Sequence, residues 1–232
     1  MAGRVSQSRI LMEVEQLFVR RGGREVLHGV SFCVPGGELL GVIGPNGAGK
    51  TTLLECMAGV LPSTRGTIRG AREELFYLPD GIRPWPEQTV EWTIAMIANA
   101  FGCEASFEIA KELDLLPLMQ QRVKSLSKGE AKRLGIALAL ATPRPLLLLD
   151  EPFDGLDLRQ TRALSNLLRR IVAKEQRTLV LSIHQLSDAA RVCDRFLLLD
   201  HGRLVAAGTL DELRVRSGSP ERELEEIFLA LT

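Results

Sequence analysis

The sequence predicts an α/β fold, a mainly parallel sheet covered by helices on both faces, with antiparallel β-structure ahead of it and a helical segment inserted within it. Short apolar runs of strand length recur along the chain, at 38–43, 146–149, 178–183 and 196–199, and helical patterns separate them. From Val90 to about Leu140 the spacing is helical with no strand signal. The length of 232 residues suits one large domain of this class.

The opening segment reads as β-structure. Met12-Glu13-Val14-Glu15 alternates, and Val26–Val34 follows a turn at Gly22-Gly23. Pro35-Gly36-Gly37 makes a second turn before Glu38–Ile43, a short apolar run of the kind a buried parallel strand requires. Lys50–Ala58 reads as a helix ended by Gly59, and Gly66–Gly70 and Leu75–Leu78 as short strands. Thr89 is placed to cap a helix over Val90–Ala100, with further helices expected over Ala105–Leu115 and Lys128–Ala141. Strand character returns at Leu146–Leu149, Thr178–Ile183 and Phe196–Leu199, with helices Leu158–Lys174 and Ser187–Cys193 between them.

Composition excludes several classes. The 29 basic and 29 acidic residues cancel, so the broad basic face on which nucleic-acid binding rests is not expected, and neither is a nucleic-acid partner. The 45% hydrophobic content argues against disorder. Cys33, Cys56, Cys103 and Cys193 form no CxxC pair or Cys/His cluster, which predicts reduced thiols in a cytosolic compartment and no metal role for them. The opening residues MAGRVSQSRILMEVEQL lack the apolar stretch of a signal peptide. The longest apolar stretch, 134–149, is broken by Pro143, Arg144 and Pro145, short of the ~20 residues a spanning helix needs. Any membrane role is therefore expected to run through a partner.

Gly44-Pro45-Asn46-Gly47-Ala48-Gly49-Lys50-Thr51 matches GxxxxGK[ST] in full, between a buried strand and a helix. Its glycines let backbone N–H groups turn inward around phosphate oxygens, and the helix that follows adds its positive N-terminal end. Lys50 is expected to reach the β- and γ-phosphates, with the Thr51 hydroxyl on Mg²⁺ and Thr52 completing the loop's contacts. A second signal is Leu146–Leu149 running into Asp150-Glu151. A strand buried on both faces can present carboxylates only at its end, beside the phosphate loop of a parallel sheet. Asp150 is expected to hold Mg²⁺, and Glu151 to polarise the attacking water. Two adjacent acids opposite a triphosphate imply a screening cation, so ATP and Mg²⁺ are the expected ligands.

Leu126-Ser127-Lys128-Gly129-Glu130, followed by Ala131-Lys132-Arg133-Leu134, resembles the LSGGQ motif and trailing helix of the ATP-binding cassette superfamily, and the likeness extends over nearly the whole chain. It implies a P-loop NTPase (RecA-like) core over about 1–80 and 143–212, a helical subdomain over about 81–142 and a tail over 213–232. It also implies that Ser127 and Gly129 contact the γ-phosphate bound by the other cassette of a dimer. The residues alone read as a helix N-cap with a capping box. Phe153-Asp154-Gly155-Leu156-Asp157 resembles the D-loop of the dimer seam, and His184 falls at the switch-histidine position, where it would reach the γ-phosphate. His28 and His201 match no motif and read as surface residues.

Two positions depart from the family pattern. Arg21 stands where an aromatic usually stacks on adenine; a guanidinium can do the same, with Phe18 as the other candidate. Asp80 stands where Gln usually contacts Mg²⁺, and a carboxylate can ligate a hard cation.

The resemblance implies an ATP-hydrolysing subunit, homodimeric or paired with another cassette, on the cytoplasmic face of a membrane. It would energise an integral membrane permease, with export favoured because 202–209 and 224–232 resemble stand-alone subunits of ABC-2 type exporters. Soluble cassette ATPases of DNA repair or translation are the alternative; they carry a long coiled coil or tandem cassettes, and this sequence shows neither. A degenerate nucleotide-binding subunit is a third reading, motivated by Arg21 and Asp80. Trp85, between Pro84 and Pro86, is a candidate exposed docking residue, whereas Trp92 is expected in the core.

Overall fold

A computed structural model describes residues 9–70, 72–103, 107–218 and 220–232. The first eight residues of the segment read against a signal peptide lie outside the described residues, as does Ala105, the expected start of the second insert helix.

Strands β1 (Ile10–Arg21) and β2 (Arg24–Pro35) form a long hairpin through Gly22-Gly23, and β4 (Arg65–Gly70) pairs with the other side of β1. All pairings in this three-stranded sheet are antiparallel. The alternation in β1 buries Met12 and Val14 but then resumes on Leu17 and Val19. The phase changes at Gln16, whose φ of 45° marks the irregularity where the register shifts.

The second sheet runs β5 (Leu75–Leu78), β6 (Leu146–Leu149), β7 (Thr178–Ile183), β3 (Leu39–Ile43), β8 (Arg195–Asp200), β9 (Arg203–Gly208). Its pairings are parallel except β8–β9. Every residue of β3, β6 and β7 is buried, which is why these strands read as unbroken apolar runs. Alternate side chains feed two cores. Leu39, Ile43, Leu147 and Leu149 enter one with the inserted helices, and Leu40, Val42, Leu146 and Leu148 enter the other with the β-hairpin and α1 (Lys50–Met57). β9 has no counterpart among the expected strands; it pairs back through a turn at His201-Gly202.

Between β5 and β6 the described residues hold helices and 3₁₀ turns only: α2 (Val90–Ala100), α3 (Phe107–Glu112) and α4 (Lys128–Ala141). Thr89 caps α2 as expected, accepting from the Trp92 N–H. Helices α5 (Leu158–Glu175), α6 (Leu186–Val192), α7 (Leu210–Arg216) and α8 (Leu224–Leu231) complete the chain. α6 begins and ends one residue earlier than expected. Among the described residues, no helix is long and apolar enough to cross a membrane.

Trp92 is not a core residue. It is 39% exposed and packs edge-to-face on Trp85, itself 41% exposed, with ring centroids 5.8 Å apart. The buried stripe of α2 is Val90, Ile94 and Ala98 with Thr93, and position 92 falls outside that i, i+4 series. His201 lies on the surface, while His28 is half-buried beside Glu25.

Candidate functional site

The loop Gly44–Gly49 joins the end of β3 to the start of α1. Gly47 and Gly49 have φ of 84° and 102°, a region unfavourable to any residue with a Cβ. At Gly44 the constraint is close approach: a Cβ there would lie 2.0 Å from the Leu199 carbonyl oxygen of β8. The Lys50 side chain turns back into the loop, where Nζ donates to the carbonyls of Gly44 (2.8 Å) and Pro45 (3.1 Å). Burial pushes the Lys50 ammonium below the usual lysine range, against the pull of Glu151 and Asp150. Gly49 offers α1 no capping side chain, so the first-turn N–H groups have neither an intrahelical acceptor nor a cap. They border a cavity of about 320 Å³ lined also by Asn46, Gly47, Thr51, Thr52 and Glu151. Pro45 and Ala48 shape the loop from outside that lining; the Ala48 N–H donates to the Pro45 carbonyl.

β6 runs into Asp150 and Glu151, and Glu151 lines this cavity. Asp150 is 2% exposed and accepts from Ser182 Oγ at 2.5 Å, while the Glu151 N–H donates to the same Oγ at 2.8 Å. Ser182 therefore orients both carboxylate residues from β7, the strand beside β6. Glu151 has φ of 48°, and its Oε2 lies 3.4 Å from His184 Nδ1.

Ser127 caps α4. Its side chain accepts from the Glu130 N–H, and the Glu130 carboxylate accepts from the Ser127 N–H at 2.7 Å, a complete capping box. Those bonds hold the Glu130 carboxyl below its usual range. Lys128 Nζ meets Asp154 at 2.6 Å, which raises the lysine and lowers the acid. Gly129 sits where a Cβ would lie 3.0 Å from the Gly155 carbonyl oxygen. Thus the 126–130 and 153–157 segments pack on each other, and neither Ser127 nor Gly129 lines the phosphate-loop cavity.

Arg21, at the end of β1, pairs with Glu55 of α1 at 2.9 Å and does not line the cavity. The ring of Phe18 is covered by the Arg65 guanidinium, 4.1 Å from its centroid. Asp80, in the loop after β5, pairs with Lys132 of α4. Sequence reasoning assigned no role to Ser182 or Lys132. For Ser182 the signal was a hydroxyl inside a largely apolar strand; Lys132, flanked by Glu130 and Arg133, carried none.

The family profile described as ABC transporter matches residues 27–154, more than half the chain, from β2 through the phosphate loop to Asp154. The chain belongs to the ABC transporter family. Among relatives of this cassette is an uncharacterized ABC transporter ATP-binding protein of Methanocaldococcus jannaschii, 31% identical, with 87% of this chain and 79% of the relative covered. The methionine import ATP-binding protein MetN of Burkholderia thailandensis is 32% identical, covering 89% and 67%. A Nod factor export ATP-binding protein I of Burkholderia orbicola is 33% identical, covering 82% and 67%. The cassette spans only 12–14% of the mammalian sub-family A relatives it matches. Its fold superposes on the structure of an ATP-binding subunit of an ABC transporter with a TM-score of 0.87 at 32% identity, over 95% of this chain and 99% of the other. The expected P-loop α/β core with an antiparallel β-subdomain is thus the fold of this cassette.

Proposed function

We propose that this cassette binds and hydrolyses ATP to energise export through a separate membrane subunit, acting as one of a pair on the cytoplasmic face. The observation that carries the hydrolytic part is convergence on one cavity: Lys50, Thr51 and the uncapped first turn of α1 line it together with Glu151. These groups fit a triphosphate. A buried ammonium satisfied only by two loop carbonyls can exchange them for phosphate oxygens, and uncapped N–H groups suit an anion.

Mg²⁺ fits the remaining donors, Thr51 and the buried Asp150, and when bound supplies positive charge to the β- and γ-phosphate oxygens. Ser182 holds Asp150 for that role. Glu151 would orient water and take its proton as the water oxygen bonds to the γ-phosphorus and the bond to the bridging oxygen breaks, ADP leaving; His184, 3.4 Å from Glu151 Oε2, is assigned to the γ-phosphate. Catalysis here is positioning and electrostatics. Ser127 and Gly129, outside this chain's own cavity, are assigned to the nucleotide of the partner cassette.

Mg²⁺-dependent phosphate release by the purified chain, with light scattering to follow ATP-driven pairing, tests the proposal. Turnover that stops with EDTA is the expected result. A folded chain that binds no nucleotide would overturn it. Export is supported by the resemblance of 202–209 and 224–232 to exporter subunits and by the Nod factor relative, although an import relative matches equally well. Copurification of the membrane subunit, followed by transport in vesicles, decides the direction.

Arg21 is proposed to contact adenine. Its replacement by Ala is expected to weaken ATP binding by about fivefold, on the order of 1 kcal/mol, and Arg21→Tyr to restore it. Both variants lose the ion pair with Glu55, so Glu55→Gln is the control that isolates stacking. Equal calorimetric affinities across the series would place adenine elsewhere.

The membrane partner is proposed to dock on the face formed by 80–101, within the helical subdomain of about 81–142. Trp85 and Trp92 stand exposed there, next to Met96 on the same face of α2. Trp85→Ala is expected to leave basal turnover unchanged, and to abolish the stimulation that the membrane subunit gives. Because Trp85 is 41% exposed, its thermal midpoint should fall by less than the several degrees that loss of a core Trp brings. Undiminished stimulation would move the docking face off this residue.

A further inference from the structure

Lys132 is the one charged residue among the nine buried residues of α4, and its side chain is 5% exposed. An ammonium in such a place must be paired and hydrogen-bonded. Its Nζ has two partners from separate segments: the Asp80 carboxylate and the Glu151 carbonyl oxygen, the latter at 2.8 Å. Glu151 holds a left-handed backbone, φ 48°, that a residue with a Cβ keeps only where its surroundings enforce it. Three bonds do so: its N–H donates to Ser182 Oγ, and its carbonyl accepts from Lys132 Nζ and, at 3.2 Å, from the Asp154 N–H. Of the three partners, Ser182, Asp154 and Lys132, only Lys132 comes from the helical insert.

We infer that Lys132 is a positioning residue for hydrolysis. By gripping the Glu151 peptide it fixes where the Glu151 carboxylate points, and Asp80 is its counter-ion rather than a metal ligand. The inference rests on the hydrolytic reading above and adds to it a path of one side chain between insert and catalytic carboxylate. Asp80 and Lys132 also wall a groove of about 90 Å³, together with Gly81, Ile82 and Lys128.

The test compares Lys132→Met, which has similar length and no donor, with Lys132→Gln, which keeps an N–H for the carbonyl. Turnover and affinity for a fluorescent ATP analogue are measured separately. Lys132→Met is expected to lower kcat by about 10- to 100-fold while the analogue's Kd stays within about threefold, and Lys132→Gln to recover most of the loss. Asp80→Asn should leave the Mg²⁺ concentration for half-maximal turnover within about twofold, where loss of a metal ligand would raise it by about tenfold or more. Should Lys132→Met fail to fold, Asp80→Asn/Lys132→Met, which leaves neither charge without its partner, is read the same way. A Lys132→Met protein with wild-type kcat, or one whose kcat and affinity fall together, overturns the positioning role. An Asp80→Asn protein with a markedly raised Mg²⁺ requirement overturns the counter-ion assignment. A wild-type chain without turnover removes the hydrolytic reading and this inference with it, which separates the two failures.

Discussion

Glu151→Gln is expected to cut ATP turnover by roughly 10²- to 10⁴-fold while ATP affinity stays within a few-fold of wild type. The amide matches the carboxylate in size, and the bonds that set the residue's geometry all involve its backbone: N–H to Ser182, carbonyl from Lys132 and Asp154. The side chain therefore stays at the edge of the cavity and loses only its charge. Without that charge it cannot take a proton from water. It also presents a neutral group to His184, whose Nδ1 lies 3.4 Å from Glu151 Oε2. With ATP bound and uncleaved, paired cassettes should accumulate, visible as a doubled mass in light scattering with ATP and not with ADP. A variant that turned over at near wild-type rate would pass the water-activating role to another group, with His184 the first to examine.

Lys50→Met is expected to weaken ATP binding by about 10- to 100-fold, the worth of one charge-assisted contact to phosphate. Its effect on the nucleotide-free protein should be small, because two changes oppose each other. The Gly44 and Pro45 carbonyls lose their donor, while a buried ammonium whose charged form burial disfavours is removed. The net change should stay within about 1 kcal/mol. A pH titration separates the two. A lysine whose folded-state pKa is depressed leaves the unfolded chain holding more protons between the folded value and the ordinary 10.5, so stability rises with pH through that window. Wild type should show this increment, and Lys50→Met should lack it. Unchanged nucleotide affinity in the variant would exclude Lys50 from the phosphate site.

Much of the site was legible because its determinants are local. The phosphate loop needs glycines at left-handed positions directly between a strand and a helix, and these are consecutive residues, so the motif carries its own geometry. Asp150-Glu151 could be placed because a strand buried on both faces can present carboxylates only at its end. The capping box of α4, Ser127 with Glu130, is likewise a span of four consecutive residues. Fold class followed from the same source: the period and length of apolar runs report burial on one face or two, whatever the partner.

What depends on a partner distant in sequence had to wait for the tertiary structure. Arg21 on Glu55 and Asp80 on Lys132 are pairs 34 and 52 residues apart, and no spacing rule selects one counter-ion among 29 of each sign. Ser182 acquires its role only when the parallel register of β6 and β7 sets its hydroxyl against Asp150 and the Glu151 N–H. Trp92 was expected inside because it lies on a helical pattern, yet the helical phase set by Val90, Ile94 and Ala98 turns it outward onto Trp85. The sequence by itself determined the sheet, the phosphate loop and the acidic strand end, where a few consecutive residues impose the backbone. Only the fold decided which charges meet and which face of a helix is covered, since those depend on surfaces brought together by chain closure.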